Sequence, residues 1–333
     1  MHAMVLNEIA PIETEPLQWT ERQPPTPGPG EVRLKVHCCA ICRTDLHVVE
    51  GDLPQHTLPI IPGHQIVGTV DQLGPDCQAV QIGQRVGVAW LRHTCGHCQF
   101  CRSGRENLCE LARFTGYHED GGYAEYALVP EDFAYTLPAA FNDTEATPLL
   151  CAGIIGYRAL KRCNLENGSR LALYGFGSSA HVVLQIALHR GCEVYVVSRT
   201  EKHQELARDM GAKWVGGNAA QMPVRAHSAI MFAPAGRLVP VALEQLEKGG
   251  TLALAGIYMS AVPSLDYEQH LFYERNIHSV TANTRADARE LLAEAAEIPI
   301  RPRVTLYDLP DANRALRDLK ADRINGTGVL TVR

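Results

Sequence analysis

The period of the apolar positions changes once along the chain. Up to about residue 150 the apolar runs are short, and glycine or proline interrupts them. Glu31-Val32-Arg33-Leu34-Lys35-Val36-His37 alternates polar and apolar, the signature of a half-exposed strand, behind a Pro/Gly-rich turn at 24–30. A strand is also expected at 66–70 and a turn and strand over 80–88, with loop at 52–54 and 58–62. Many short strands of this kind indicate a β-rich domain. Beyond residue 150, buried strands alternate with helical patterns. Strands are expected at 169–174, 193–197, 228–232, 251–255 and 277–281, with helices at 181–190, 201–210 and 237–246. This β-α alternation predicts a doubly wound parallel sheet. The last segment reads as a helix at 286–296, a strand at 303–307, a helix at 311–319 and a strand at 328–332. Its strands are free to return to the first domain.

A chain of 333 residues is long enough for two domains. Charged residues make up 20% and hydrophobic residues 46%, which describes an ordinary soluble protein with ample core. A net charge of −6 gives no reason to expect nucleic acid or an anionic membrane as a partner. The N-terminus lacks the basic and apolar regions of a secretory signal, and no apolar run is long enough to span a bilayer. A cytoplasmic protein is the default expectation.

Eleven cysteines are many for such a chain. Cys95, Cys98, Cys101 and Cys109 fall within 15 residues, the first three at C-x2-C-x2-C spacing. In a reducing compartment such a cluster favours a tetrahedral Zn(Cys)4 site over disulfides. An iron–sulfur cluster or unligated thiols are the alternatives. Cys38, Cys39, Cys77, Cys163 and Cys192 read as small apolar fillers. The stretch Ile41-Cys42-Arg43-Thr44-Asp45-Leu46-His47 offers a thiol, a hydroxyl, a carboxylate and an imidazole. Taken alone, it is either a polar loop with one buried cysteine or part of a metal site.

Gly175-x-Gly177-x-x-Ala180 follows an expected strand and opens an expected helix. That context turns a weak motif into a dinucleotide-binding fingerprint, with the pyrophosphate at the helix N-terminus. An acidic residue after the second strand would bind the ribose of NAD, but Ser198-Arg199 stands there instead. A serine donates to a 2′-phosphate and an arginine pairs with it, so NADP is favoured over NAD.

These residues carry a family resemblance over nearly the whole chain. The motifs are Gly28-Pro29-Gly30-Glu31-Val32, Cys42-Arg43-Thr44-Asp45-Leu46-His47, Pro62-Gly63-His64 and the four-cysteine loop, with Asp120-Gly121-Gly122-Tyr123-Ala124-Glu125-Tyr126 and Leu149-Leu150-Cys151-Ala152-Gly153. Together they resemble the zinc-dependent medium-chain alcohol dehydrogenases, and the bacterial dimeric and tetrameric members more than the zinc-free quinone reductases. The resemblance implies an α/β protein with a GroES-like catalytic domain (1–151 and 286–333) and a Rossmann domain (152–285), assembled as a homodimer or homotetramer. It implies two zinc ions per chain: a catalytic one on Cys42, His64 and Cys151 in the cleft between the domains, and a structural one on Cys95, Cys98, Cys101 and Cys109. Asp45 would orient His64. Thr44, the cofactor ribose and His47 would relay a proton, and Arg43 would contact the pyrophosphate. Zinc would acidify an alcohol, and the alkoxide would pass a hydride to the nicotinamide, or the reverse with an aldehyde or ketone.

Three positions depart from the family pattern. Gln65 replaces the usual Glu after the ligand histidine, Thr327 stands where relatives carry an arginine toward the pyrophosphate, and Leu53 replaces a tryptophan of yeast-type members. Leu53 suggests room for alcohols larger than ethanol, with Trp90 and Tyr117 as other walls. The competing readings are a zinc-free NADPH quinone or enoyl reductase and a non-catalytic nucleotide-binding protein of the same fold. Both complete ligand sets argue against the first, and Thr44 with His47 against the second.

Overall fold

A computed structural model describes residues 1–54 and 57–332. The chain divides into two compact units. One comprises Met1–Cys151, Ala282–Glu297 and Arg301–Arg333, and the other Ala152–Thr281 with Ile298–Ile300.

The first unit is organised on Glu31–Ile41, whose inward positions Val32, Leu34 and Val36 are buried. This strand is long enough to serve several partners. Its first half pairs antiparallel with Tyr126–Pro130, and most of its length pairs with Gln65–Leu73. Its end, Cys38–Ile41, pairs with the C-terminal strand Thr327–Thr331. Arg85–Val88 and Ala134–Thr136 extend the sheet on one side and Val304–Asp308 on the other. The core on this sheet includes Leu34, Ile41, Ile66, Val86, Trp90, Tyr123 and Leu330.

The second unit is a parallel sheet. Among the described residues its strand order is Trp214–Gly216, Glu193–Val197, Arg170–Tyr174, Ala226–Met231, Leu246–Leu254 and Asn276–Ser279. In chain order that is 3-2-1-4-5-6, the doubly wound arrangement that binds dinucleotides where the order reverses. The reversal lies at Arg170–Tyr174, which leads directly into Gly175.

Most expected elements match within a few residues. The helix after the glycines begins earlier than its apolar run, at Ser178, because Gly177 caps it. The strand expected at 251–255 runs over Leu246–Leu254, and its register against Ala226–Met231 shifts between Leu246 and Thr251. The structure adds a helix, Ala152–Arg162, that the expected elements do not include. It buries Ala152, Gly153, Ile154, Gly156, Tyr157, Ala159 and Leu160. Cys38, Cys39, Cys163 and Cys192 are buried as fillers, whereas the half-buried Cys77 donates to the Glu31 carbonyl at 3.2 Å.

Candidate active site

The stretch at 41–47 is neither loop nor strand throughout. Ile41 ends the long strand, Cys42 is an extended N-cap, and Arg43–Glu50 is a helix. Cys42 Sγ accepts from the Thr44 amide (3.3 Å), and the Asp45 carboxylate accepts from the Cys42 amide (2.8 Å). The spacing C-x-x-D is therefore a capping box with a thiol in the serine position. A helix N-terminus favours the thiolate.

The second oxygen of Asp45 accepts from Nδ1–H of His64 at 3.0 Å. Both side chains are essentially inaccessible. One carboxylate thus caps the helix and fixes a histidine 19 positions away. With Nδ1 committed, Nε2 is the ring nitrogen left for a ligand, and it lies 3.4 Å from Cys42 Sγ. The ring is held further by the edge of Trp90, at 5.0 Å between centroids.

His64 is delivered by a close backbone approach. The Tyr123 amide donates to the Pro62 carbonyl (3.0 Å), Gly122 to Gly63 (2.8 Å) and Gly121 to Ile61 (2.7 Å), while Asp120 accepts from the Ile61 amide. Gly63 has φ +97, and a Cβ there would stand 2.3 Å from the Tyr123 ring. A Cβ on Gly121 would stand 2.0 Å from the Gly63 carbonyl oxygen. The Asp-Gly-Gly-Tyr and Pro-Gly-His motifs are two sides of one backbone contact.

Cys151 follows the 3-10 turn Thr147–Leu150 and precedes the helix Ala152–Arg162. Its Sγ, Cys42 Sγ and a His64 nitrogen all lie within 4.8 Å of one another. At a Zn–S length of ~2.3 Å, tetrahedral angles set donors about 3.5–3.8 Å apart. The donor set and the 3.4 Å edge between Cys42 and His64 therefore fit a tetrahedral metal with one position left over. Without metal, the Cys42 thiol falls well below its ordinary range, chiefly because Cys151 donates to it and His64 faces it. Cys151 rises, since it holds the shared proton and is buried. For His64, burial opposes charge, but the Asp45 and Cys42 charges prevail and lift it to about 10. Burial raises Asp45.

The four cysteines at 95–109 also converge. Their Sγ atoms lie within 4.8 Å of one another, with Cys95 and Cys101 3.9 Å apart and Cys98 and Cys101 3.5 Å apart. Amides of Cys95, Cys98 and Cys101 donate to neighbouring sulfurs, which suits thiolates. Hydrogen bonds from backbone near His97 and Cys98 bring Cys95 down to about 6, while burial and holding the proton shared with neighbouring sulfurs, Cys98 first, raise Cys101 to about 11. Distances and donors fit a closed four-sulfur metal site. The Arg285 guanidinium and amide clasp Glu106 within this segment, at 2.7 Å for the shortest contacts, and the guanidinium stacks over Phe133.

Of the other candidates, Thr44 is buried and His47 mostly so, one helical turn apart, while Arg43 is exposed. The Asp52 carboxylate accepts from His47 Nδ1–H at 2.8 Å. Sequence reasoning missed this pair, although Asp five places after His across a glycine was its visible signal. Gln65 is fully buried and its amide has no hydrogen-bond partner among the described residues. Thr327 is buried in the C-terminal strand, its amide on the Arg303 carbonyl. Leu53 packs on the core that holds Trp90 and Tyr117, and the Tyr117 hydroxyl donates to the Pro54 carbonyl.

In the second unit Gly175 turns the chain at φ +89, and its amide donates to the Val197 carbonyl. A Cβ on Gly177 would meet nothing within 4 Å, so an open cradle faces the N-terminus of the helix Ser178–His189. Ala180 is buried. That cradle fits a pyrophosphate. Ser198 is buried at the end of the second strand, where its carbonyl accepts from Gln204, and Arg199 is exposed.

Comparison with known proteins agrees with this geometry. Residues 28–139 match the model for an alcohol dehydrogenase GroES-like domain, and 180–297 that for a zinc-binding dehydrogenase. A probable alcohol dehydrogenase, AdhA, from Mycobacterium tuberculosis is 50% identical over all of this chain and 97% of its own. An alcohol dehydrogenase from Geobacillus stearothermophilus is 34% identical over 100% of this chain and 99% of its own. The cobalt- and zinc-bound thermostable alcohol dehydrogenase from Pyrobaculum aerophilum superposes with a TM-score of 0.89 over 99% of both chains, at 27% identity. Half the residues are thus shared along the full length of one such enzyme, and the chain belongs to the zinc-type medium-chain alcohol dehydrogenases.

Proposed function

We propose that this alcohol dehydrogenase is zinc-dependent and prefers NADP, interconverting an alcohol with its aldehyde or ketone. The observation that carries the zinc reading is the pair of donor sets, one with three ligands and one with four. Bound zinc and nicotinamide would supply Lewis acidity and a hydride acceptor, respectively. Cys42, His64 and Cys151 hold the first metal, and Cys95, Cys98, Cys101 and Cys109 the second. Asp45 keeps His64 in the tautomer that presents Nε2. Thr44 and His47, neighbours on one helix face, move the substrate hydroxyl proton away. Gly175, Gly177 and Ala180 form the pyrophosphate turn, with Arg43 as a further phosphate contact. Ser198 and Arg199 receive the 2′-phosphate. Leu53, Trp90 and Tyr117 line a site for an alcohol larger than ethanol.

The protein would act in the cytoplasm. No helix among the described residues is long and apolar enough to cross a membrane. Exposed Tyr267, Phe272 and Tyr273 lie just before the terminal strand Asn276–Ser279, which supports a homo-oligomer.

Metal analysis of the purified protein is expected to return two zinc ions per chain. Turnover of a panel of alcohols and aldehydes with NAD(H) and NADP(H) tests the rest. Arg199→Asp removes a charge-assisted contact of about 1.5–3 kcal/mol, so NADP turnover should fall roughly tenfold to hundredfold relative to NAD. A wild-type preference for NAD would end the NADP reading.

A further inference from the structure

The helix that carries Cys42 at its start ends in a second device. Gly51 closes it at φ +79, and the amides of Gly51 and Asp52 both donate to the His47 carbonyl at 3.0 Å. This double capping folds the chain back over its last turn. The left-handed backbone at Gly51 favours glycine, and a Cβ there would also stand 2.6 Å from Cγ2 of the Ile9 side chain. Two positions beyond Asp52, the Tyr117 hydroxyl donates to the Pro54 carbonyl. Asp52 therefore sits on a stretch pinned at both ends, and its carboxylate meets His47 Nδ1 at 2.8 Å. The His47 side chain is 16% exposed and that of Asp52 50% exposed.

We infer that Asp52 is a positioning residue for the proton exit, acting through His47. The inference rests on the proposed relay role of His47. A carboxylate only accepts hydrogen bonds, so contact with Asp52 requires the proton on Nδ1. In the neutral ring the lone pair is then on Nε2. Each alcohol oxidised gives one hydride to the oxidised nicotinamide and one proton from its hydroxyl. The O–H bond breaks, the relay through Thr44 delivers a proton, an N–H bond forms at Nε2, and the imidazolium keeps its Nδ1–H on Asp52. The ring becomes neutral again when Nε2 gives its proton to water. Asp52 thereby selects the basic nitrogen and faces the positive charge while it exists.

The test compares Asp52→Ala, Asp52→Asn and His47→Gln in the zinc-loaded enzyme. Asp52 lies at an exposed helix end, and circular dichroism and zinc content confirm that each variant is folded. The nitrogen-15 shifts of the His47 ring, read without substrate, should show Nδ1–H in the wild type and a shift toward Nε2–H in Asp52→Ala. Asp52→Asn, whose amide oxygen still accepts, should keep Nδ1–H. Alcohol oxidation at neutral pH should fall about tenfold in Asp52→Ala, less than the 10²-fold or more typical of losing an acid–base group. Added imidazole should restore that rate in proportion to its concentration, which a packing defect would not allow. If His47→Gln slows oxidation while Asp52→Ala leaves both the ring shifts and the rate unchanged, the role of Asp52 is refuted and the relay stands. If His47→Gln has no effect, relay and inference fall together.

Discussion

Adding one methyl group at Gly63 should unseat the ligand histidine next to it. In Gly63→Ala the new Cβ would stand 2.3 and 2.6 Å from two carbons of the Tyr123 ring and 2.9 Å from Cys39 Sγ. Tyr123 is fully buried and Cys39 sits in the central strand, so neither can move aside freely. The backbone at φ +97 adds strain for any L side chain. Backbone strain of about 1–3 kcal/mol and overpacking of about 1–3 kcal/mol give roughly 2–6 kcal/mol in all. His64 is the next residue, and a shift of even half an ångström spoils a coordination sphere, so zinc retention should suffer before the fold does. The assay is a double-mutant cycle with Tyr123→Ala, read by urea unfolding and by zinc content after dialysis against a weak chelator. Tyr123→Ala alone should cost about 3–5 kcal/mol as a large cavity. If the clash is the cause, the alanine at 63 partly fills that cavity, and the double variant should cost less than the sum by about 1–3 kcal/mol. Costs that add to within about 0.5 kcal/mol would refute the steric argument.

Three further outcomes are expected. In metal-free protein His64, lifted from 6.5 to about 10, stabilises the folded state fully below pH 6.5, and that stability is lost as pH rises through about 10. The stability gap between wild type and His64→Asn, both without metal, should therefore shrink over that window; a constant gap would contradict it. Glu106 is held below its ordinary 4.5; burial opposes the shift, but its hydrogen bonds to Arg285 outweigh that. Glu106→Gln should cost about 1.5–3 kcal/mol near neutrality. Protonation of wild-type Glu106 should erase that difference as pH falls below 4.5, as acid unfolding curves of both proteins would show. Gln65→Leu removes two buried, unpartnered amide atoms, so the metal-free protein should gain about 1–3 kcal/mol, and a lower melting temperature would count against this account.

Local signals were legible where they needed only neighbouring residues. The alternation at Glu31–His37, the strand-turn-helix around Gly175 and the thiol spacing at Cys95–Cys109 each describe one element or one loop. The helix Ala152–Arg162 carries Gly153 and Gly156, poor helix formers, so residue propensity gives little sign of it. The stretch from Ile41 to His47 was ambiguous for another reason. A cysteine as N-cap and an aspartate at the third helical position look like loop composition until the capping box closes.

Composition, the change of period near residue 150 and the two cysteine and glycine motifs were thus determined by the sequence itself, because each is set by local geometry. Contacts 19 to 109 positions apart are formed only by the tertiary structure: Asp45 against His64 and Cys151 beside Cys42, which the family resemblance implied but no local pattern encodes, and the Gly121-Gly122 backbone against Gly63, which neither announced. Long-range contacts of this kind depend on how strands register and how closely backbones approach, which no periodicity encodes. The same holds at the far end of the ligand helix. The residues Gly51 and Asp52 were in plain view, but only the folded turn puts a carboxylate on His47.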